Sequence, residues 1–294
     1  MMKVLITGAG GQLASELLIT APEGLTLQCL SSKELDITNS EQVNEKVSAF
    51  APDVIINAAA YTAVDKAEED FEAAKAVNVA GVKNLAKACP DNGYMLHIST
   101  DFVFDGLKSS PYLPDDCANA SSVYGKTKYD GELALFEQKP SRSAVIRTSW
   151  VYSSHGNNFV KTMLRLMAEK PQLGIVSDQI GTPTAAKSLA KVCWLAVEKN
   201  LEGTHHWSDM GVASWYDFAV AIQELALTKG LLTTRIPIKP ISSSAYPMPA
   251  TRPSYSVMNK DSLFAALGDG EAVHWREQLD CMLSELKELK ELKD

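Results

Sequence analysis

Two hydrophobic rhythms alternate along the first half of the chain. Short, continuously apolar runs at Lys3–Thr7 (KVLIT), Leu25–Leu30, Asp53–Asn57 (DVIIN), Met95–Ser99 (MLHIS) and Ser143–Arg147 (SAVIR) predict strands. Between them, apolar positions three and four apart predict helices over Gln12–Leu18, Ser40–Phe50, Asp70–Cys89 and Tyr124–Gln138. In Ser40–Phe50, Val43, Val47 and Phe50 share a face; in Asp70–Cys89, Ala74, Val77, Gly81 and Leu85 do so. Strands that are apolar throughout, rather than every second residue, belong to a parallel sheet covered on both faces. Right-handed crossovers then give an α/β fold with a doubly wound parallel sheet of the Rossmann type.

After about residue 149 the rhythm weakens. Helices are expected over Asn158–Glu169, Ala185–Glu198 and Ser214–Lys229, the last capped by Ser214. Pro237–Pro253 is rich in Pro and Ser and reads as an ordered loop, and Leu283–Asp294 (LSELKELKELKD) as a solvated, charged amphipathic helix. The expected organisation is a dinucleotide-binding domain over 1–148, completed by part of 181–210. A smaller C-terminal substrate-binding lobe would comprise 149–180 and 211–294.

Bulk properties narrow the function classes. The 294 residues suffice for a sizeable core without disulfides or metals. A net charge of −8 with no Lys/Arg cluster argues against a nucleic-acid partner. The five cysteines are scattered and form no C-x-x-C, which reads as reduced, cytoplasmic usage with neither a disulfide framework nor a zinc site. No apolar run approaches the ~18 residues of a membrane span, and the first residues run straight into a strand, where no signal peptide fits. His205 and His206 are adjacent on an expected strand, point to opposite faces and are read as structural.

Chemistry enters at the first turn. Gly8, Gly10 and Gly11 lie between a strand and a helix, where residues without a Cβ let a pyrophosphate reach the helix N-terminus. The end of the second strand should meet the adenosine ribose. Ser31, Ser32 and Lys33 stand there with no acid before Glu34, which tilts the cofactor toward NADPH with NADH possible; Glu34 or Asp36 would be the ribose acid if the strand ended later. Tyr124 and Lys128 are four apart on one helix face. An ammonium near a phenol lowers its pKa, so Tyr124 would give a proton to a carbonyl oxygen as hydride arrives at carbon. Thr100 ends the fourth strand, at the sheet edge where ligands bind, with a hydroxyl for the same oxygen.

These residues resemble the extended short-chain dehydrogenase/reductase superfamily and, within it, the family of reductases acting on dTDP-4-dehydrorhamnose. The resemblance runs over nearly the whole chain, through ITGAGGQLASEL, PDVIINAAAYTAVDKAE, HISTDFVFDG, VYGKTKYDGE, IRTSWVY, SDQIGTPT and SAYPMPATRPSYSVM. It implies a catalytic triad of Thr100, Tyr124 and Lys128. It implies cofactor contacts from Gly8, Gly11, Gln12, Leu13, Ala58, Ala59, Ala60, Tyr61 and Asn78, with Tyr124 and Lys128, beside the ribose contacts that Ser31, Ser32 and Asp36 would make from the end of the second strand. It implies a nucleotide-sugar site lined by Thr62, Val64, Asp101, Trp150 and Arg252, with the Arg252 guanidinium on the diphosphate. Phe102 departs from the family's usual tyrosine, and Ala120 from its usual proline. Some members dimerise through a magnesium ion held by carboxylates. Glu16 matches one such position, but Lys187 replaces another, so no metal and a monomer or weak homodimer are expected. Two other readings stay open: a sugar-nucleotide epimerase or dehydratase of the same superfamily, and a non-catalytic regulatory subunit, which loss of the Tyr or Lys would signal.

Overall fold

The computed structural model describes residues 1–270 and 272–292. Six strands form the central sheet: β1 (Lys3–Thr7), β2 (Thr26–Leu30), β3 (Val54–Asn57), β4 (Tyr94–Thr100), β5 (Ser143–Thr148) and β6 (Gly203–His206). Their order is β6-β5-β4-β3-β1-β2, and every pairing is parallel. The order reverses between β1 and β3, and a doubly wound sheet opens its ligand crevice at that reversal.

The helices are α1 (Gln12–Ile19), α2 (Ser40–Phe50), α3 (Val64–Ala67), α4 (Phe71–Lys75), α5 (Val82–Ala88), α6 (Val123–Gln138), α7 (Phe159–Glu169), α8 (Ala186–Glu198), α9 (Trp215–Lys229), α10 (Asp261–Leu267) and α11 (Trp275–Glu291). One sheet face packs on α1 and α8 through Leu13, Leu17, Leu189 and Trp194. The other packs on α2, α5 and α6 through Val43, Val47, Leu85 and Leu135. A separate apolar core joins α7, α9 and α11 through Val160, Met163, Phe218, Ile222, Leu279 and Leu283. Leu263 of α10 packs with the sheet core rather than with that second core.

Three elements differ from the sequence expectation. The helix expected over Asp70–Cys89 is interrupted by a π-helical stretch, Ala76–Gly81. Here α6 crosses so closely that a Cβ on Gly131 would lie 2.1 Å from the Asn78 carbonyl oxygen, so only glycine fits. Pro237–Pro253 is not all loop, because Ile238–Ile241 pairs in parallel with Leu173–Val176. The final helix begins at Trp275 and buries Leu279, Met282 and Leu283 against the second core, so its N-terminal half is packed rather than solvated. Residues 293 and 294 of the expected tail lie outside the described residues. Among the described residues no helix is long and apolar enough to cross a membrane.

Candidate active site

The crevice begins at the turn after β1. Gly8 has φ +85, and a Cβ there would lie 2.9 Å from the Ala58 backbone, so the β1 and β3 end loops touch only because the residue is glycine. Gly11 then caps α1 with no side-chain hydrogen bond, and no acid stands in the first turn. The first amides of α1, Leu13 among them, are left for an anion, which fits a pyrophosphate. Gln12 is engaged otherwise. Its Oε1 accepts from Ser153 Oγ at 3.1 Å and Asn158 Nδ2 at 2.9 Å, tying the glycine loop to the second core.

At the end of β2, Glu34 folds back so that its carboxylate accepts from the Ser31 amide at 2.9 Å and the Ser31 hydroxyl at 2.6 Å. The Ser31 hydroxyl and amide hold the Glu34 carboxyl below its usual range. Ser32 is exposed. The Asp36 carboxylate is turned away onto Thr38, accepting from its amide at 2.9 Å and its hydroxyl at 2.7 Å.

Ala58, Ala59, Ala60, Tyr61 and Thr62 form the loop after β3, and Val64 opens α3. Asn78 is buried in the π stretch and clamps this loop. Its Oδ1 accepts from Tyr61 N at 2.9 Å, while its Nδ2 donates to Tyr61 O at 3.3 Å and to Thr127 Oγ1 of α6 at 3.1 Å. All its amide groups face protein, so it shapes the nicotinamide side through the loop it holds.

Ser122 caps α6, accepting from Gly125 N at 3.2 Å, and so places Tyr124 and Lys128 on the face toward β4. Tyr124 is half-buried; its phenol lies beside the Thr100 hydroxyl, and its ring meets Phe102 edge-on, centroids 5.6 Å apart. Burial pushes the phenol up to about 12, against the pull of Thr100. This departs from the expected depression. Lys128 Nζ instead donates to Ile98 O at 2.6 Å and lies 3.3 Å from His97 Nε2. Burial brings Lys128 down to about 8, while Glu132 acts the other way. Asp101 is almost fully buried beside them, accepts from Thr100 Oγ1 at 3.1 Å, and is pushed up to about 6 by that burial.

On the other wall, Arg252 forks onto Asp65 of α3, Nη2 to Oδ2 at 2.6 Å and Nη1 to Oδ1 at 3.0 Å. The same carboxylate accepts from Ala250 N at 3.2 Å, which straps the 247–253 segment across the crevice. The Arg252 guanidinium holds Asp65 below the usual carboxylate range. Arg252 also lines an open cavity of about 400 Å³ with Asp178, Gln179, Ser243, Tyr246 and Met248, a size that suits a small-molecule ligand. Trp150 sits at φ 47 and stacks on Trp215 with ring centroids 3.6 Å apart, a partner supplied by α9. Sequence reasoning missed Asp65 and Trp215 as the partners of Arg252 and Trp150. Asp65 stood in the AYTAVDKAE segment, where its charge was the available signal; Trp215 stood in SWYDFA, 65 residues from Trp150, a pairing that local periodicity does not carry.

Known proteins resemble this chain over nearly its whole length. The family described as the RmlD substrate binding domain matches residues 2–288. A dTDP-4-dehydrorhamnose reductase of Aggregatibacter actinomycetemcomitans is 42% identical over 277 residues, 91% of this chain and 94% of that protein. The crystal structure of a dTDP-4-dehydrorhamnose reductase from Clostridium acetobutylicum superposes with a TM-score of 0.92 at 39% identity, covering 97% of this chain and all of that one, 100%. That of the Bacillus anthracis dTDP-4-dehydrorhamnose reductase, in complex with NADP, superposes with a TM-score of 0.90 at 35% identity, over 97% of this chain and 100% of that one.

Proposed function

The chain belongs to the RmlD substrate-binding family, and on that premise we propose that it reduces the C4 ketone of dTDP-4-dehydro-L-rhamnose with NADPH, Tyr124 giving the proton. The observation that carries this reading is that Thr100, at the carboxyl end of β4, and Tyr124, packed on Phe102 just after it, stand at the same end of the parallel sheet as the uncapped N-terminus of α1. The nicotinamide supplies the hydride when bound. The free α1 amides would hold its pyrophosphate, and the Asn78-clamped loop 58–61 would wall its nicotinamide side. NADH remains an alternative donor.

A phenol pushed up to about 12 is fully protonated at neutral pH, so Tyr124 always has a proton to give. It parts with that proton only as negative charge builds on the ketone oxygen, to which the Thr100 hydroxyl turns its one hydrogen from Asp101. The Lys128 ammonium, one turn on and held by Ile98 O before the reaction, stabilises the phenolate as its charge forms. Carbon gains the hydride, oxygen gains the phenol proton, and the alcohol leaves. Arg252 exchanges part of its hold on Asp65 for the diphosphate, which takes a guanidinium fork equally well. Thr62, Val64, Asp101 and Trp150 border the sugar.

Incubation with dTDP-4-dehydro-L-rhamnose and NADPH should consume cofactor in proportion to substrate. Tyr124→Phe, which removes one hydroxyl, should lower kcat by about 10²–10⁴-fold with an unchanged melting temperature. A variant as fast as the parent would remove Tyr124 from the mechanism. Protein that retains cofactor through many cycles without net consumption would favour an epimerase instead.

A further inference from the structure

A polar chain that the reaction above does not use runs from the carboxyl ends of β1 and β3 to the middle of β4. Thr7, Asn57 and His97 are all fully buried. Thr7 Oγ1 donates to Asn57 Oδ1 at 2.6 Å, and the backbone N–H of Ala59 donates to the same oxygen at 3.2 Å. A backbone N–H can only donate, so the amide atom it faces must be the oxygen. That fixes which way Asn57 points. Its Nδ2 therefore donates to His97 Nδ1 at 3.0 Å.

A neutral imidazole carries one N–H and one lone pair. Burial, reinforced by the Lys128 charge, holds the His97 ring far below its usual pKa, so it stays neutral. With Nδ1 accepting, its proton is on Nε2. That N–H points at Lys128 Nζ, 3.3 Å away. Nζ already donates to Ile98 O at 2.6 Å. An ammonium has three donors and no acceptor, so it would set N–H against N–H; a neutral amine offers a lone pair.

We propose that His97 is a positioning residue: its tautomer, locked by Asn57 and Thr7, presents an N–H to Lys128, favours the lysine's neutral form, and makes the charge available to Tyr124 reversible. The consequence for turnover rests on the reductase reading; the tautomer rests on hydrogen-bond geometry alone. Other charged groups bear on the same site. Glu132, one turn further along α6, favours the ammonium, and Arg147 of β5 holds that glutamate at 2.7 Å. Asp101, from the turn after β4, acts on Tyr124. Burial outweighs Glu132 and leaves Lys128 at about 8. Below that pH the ammonium prevails and steadies the phenolate. Above it the amine accepts from His97, and reduction slows.

NMR of protein labelled with ¹⁵N-histidine reads which ring nitrogen of each of the five histidines carries the proton, and His97→Gln assigns the signal by its loss. His97 should show Nε2–H and a bare Nδ1 across the neutral range. An Nδ1–H tautomer or an imidazolium overturns the proposal, whatever the substrate proves to be. The second measurement follows Lys128 itself by ¹⁵N-lysine NMR in Asn57→Asp, whose carboxylate would take Nδ1–H and leave Nε2 to accept from the ammonium. The Lys128 midpoint should rise by about one pH unit, a tenfold change in its proton affinity. In a His97→Phe background the same substitution should move it clearly less. Equal shifts in both backgrounds would mean a direct charge effect and would sink the idea. Failure of the ketosugar assay with these NMR results intact would count against the reductase reading alone.

Discussion

Glu34 and Asp36 lie two residues apart near the end of β2, yet only Glu34 keeps its carboxylate at the strand end, on the Ser31 amide and hydroxyl. Asp36 spends its carboxylate on Thr38. A negative charge beside the adenosine ribose accepts a free 2′-hydroxyl and repels a 2′-phosphate. Glu34→Gln should therefore lower KM for NADPH relative to NADH by several-fold, read from initial rates with each cofactor. An unchanged ratio would mean that the ribose does not meet Glu34. The placement of the candidate residues was legible in the sequence. Gly8, Thr100, Tyr124 and Lys128 stand on the crevice elements that the strand–helix alternation predicted. Their protonation was not legible. Four-residue spacing predicts a depressed phenol, but burial pushes Tyr124 up to about 12 while Lys128 turns to Ile98 O, and burial is a property of the packed molecule.

At the scale of elements, β4, β5 and α6 meet at one buried ion pair. Arg147 forks onto Glu132, Nη2 to Oε2 at 2.7 Å and Nε to Oε1 at 3.0 Å. Its Nη1 donates to Pro114 O at 3.1 Å, and Ser99 of β4 donates to the same glutamate. Side chains exposed by only 4% and 2% cannot fall back on water if one partner is lost. Arg147→Met leaves Glu132 charged and unpaired, which costs about 3–5 kcal/mol. For a chain of this size that should lower the melting temperature by about 10 °C, measured by calorimetry, with the unfolding still cooperative. A shift of about 2 °C or less would show that Glu132 is solvated or protonated. SAVIR predicted β5 from its apolar run, and its terminal Arg read as the strand's end. Its partner sits 15 residues earlier in another element, and local periodicity carries no information about such pairings. The π stretch at Ala76–Gly81 escaped for a similar reason, because it answers to the crossing of α6 at Gly131.

At the scale of the whole molecule, the sheet domain and the second core are stitched by polar side chains as well as by packing. Gln12 reaches Ser153 and Asn158, and Arg252 reaches Asp65. A third junction joins α1, α8 and α11. Glu16 is buried there, His155 Nε2 lies 3.5 Å from its Oε1, and Lys187 Nζ donates to Glu285 Oε1 at 2.6 Å. Burial raises the Glu16 pKa and the nearby Glu285 adds to it, while the hydrogen bond to Glu285 raises that of Lys187. The ammonium thus sits beside two carboxylates and already supplies the positive charge that a divalent cation would bring. A cation entering the site would have to displace Lys187 or bind against its charge, and hard cations need oxygen ligands on most sides. We therefore expect a monomer or weak homodimer whose elution in size-exclusion chromatography does not change with EDTA or added magnesium. Lys187→Glu removes the ammonium and leaves three carboxylates converging, so that variant should gain a magnesium-dependent rise in melting temperature. Metal-dependent elution of the parent protein would show that Lys187 swings clear of Glu285, and that its 2.6 Å contact does not govern the junction.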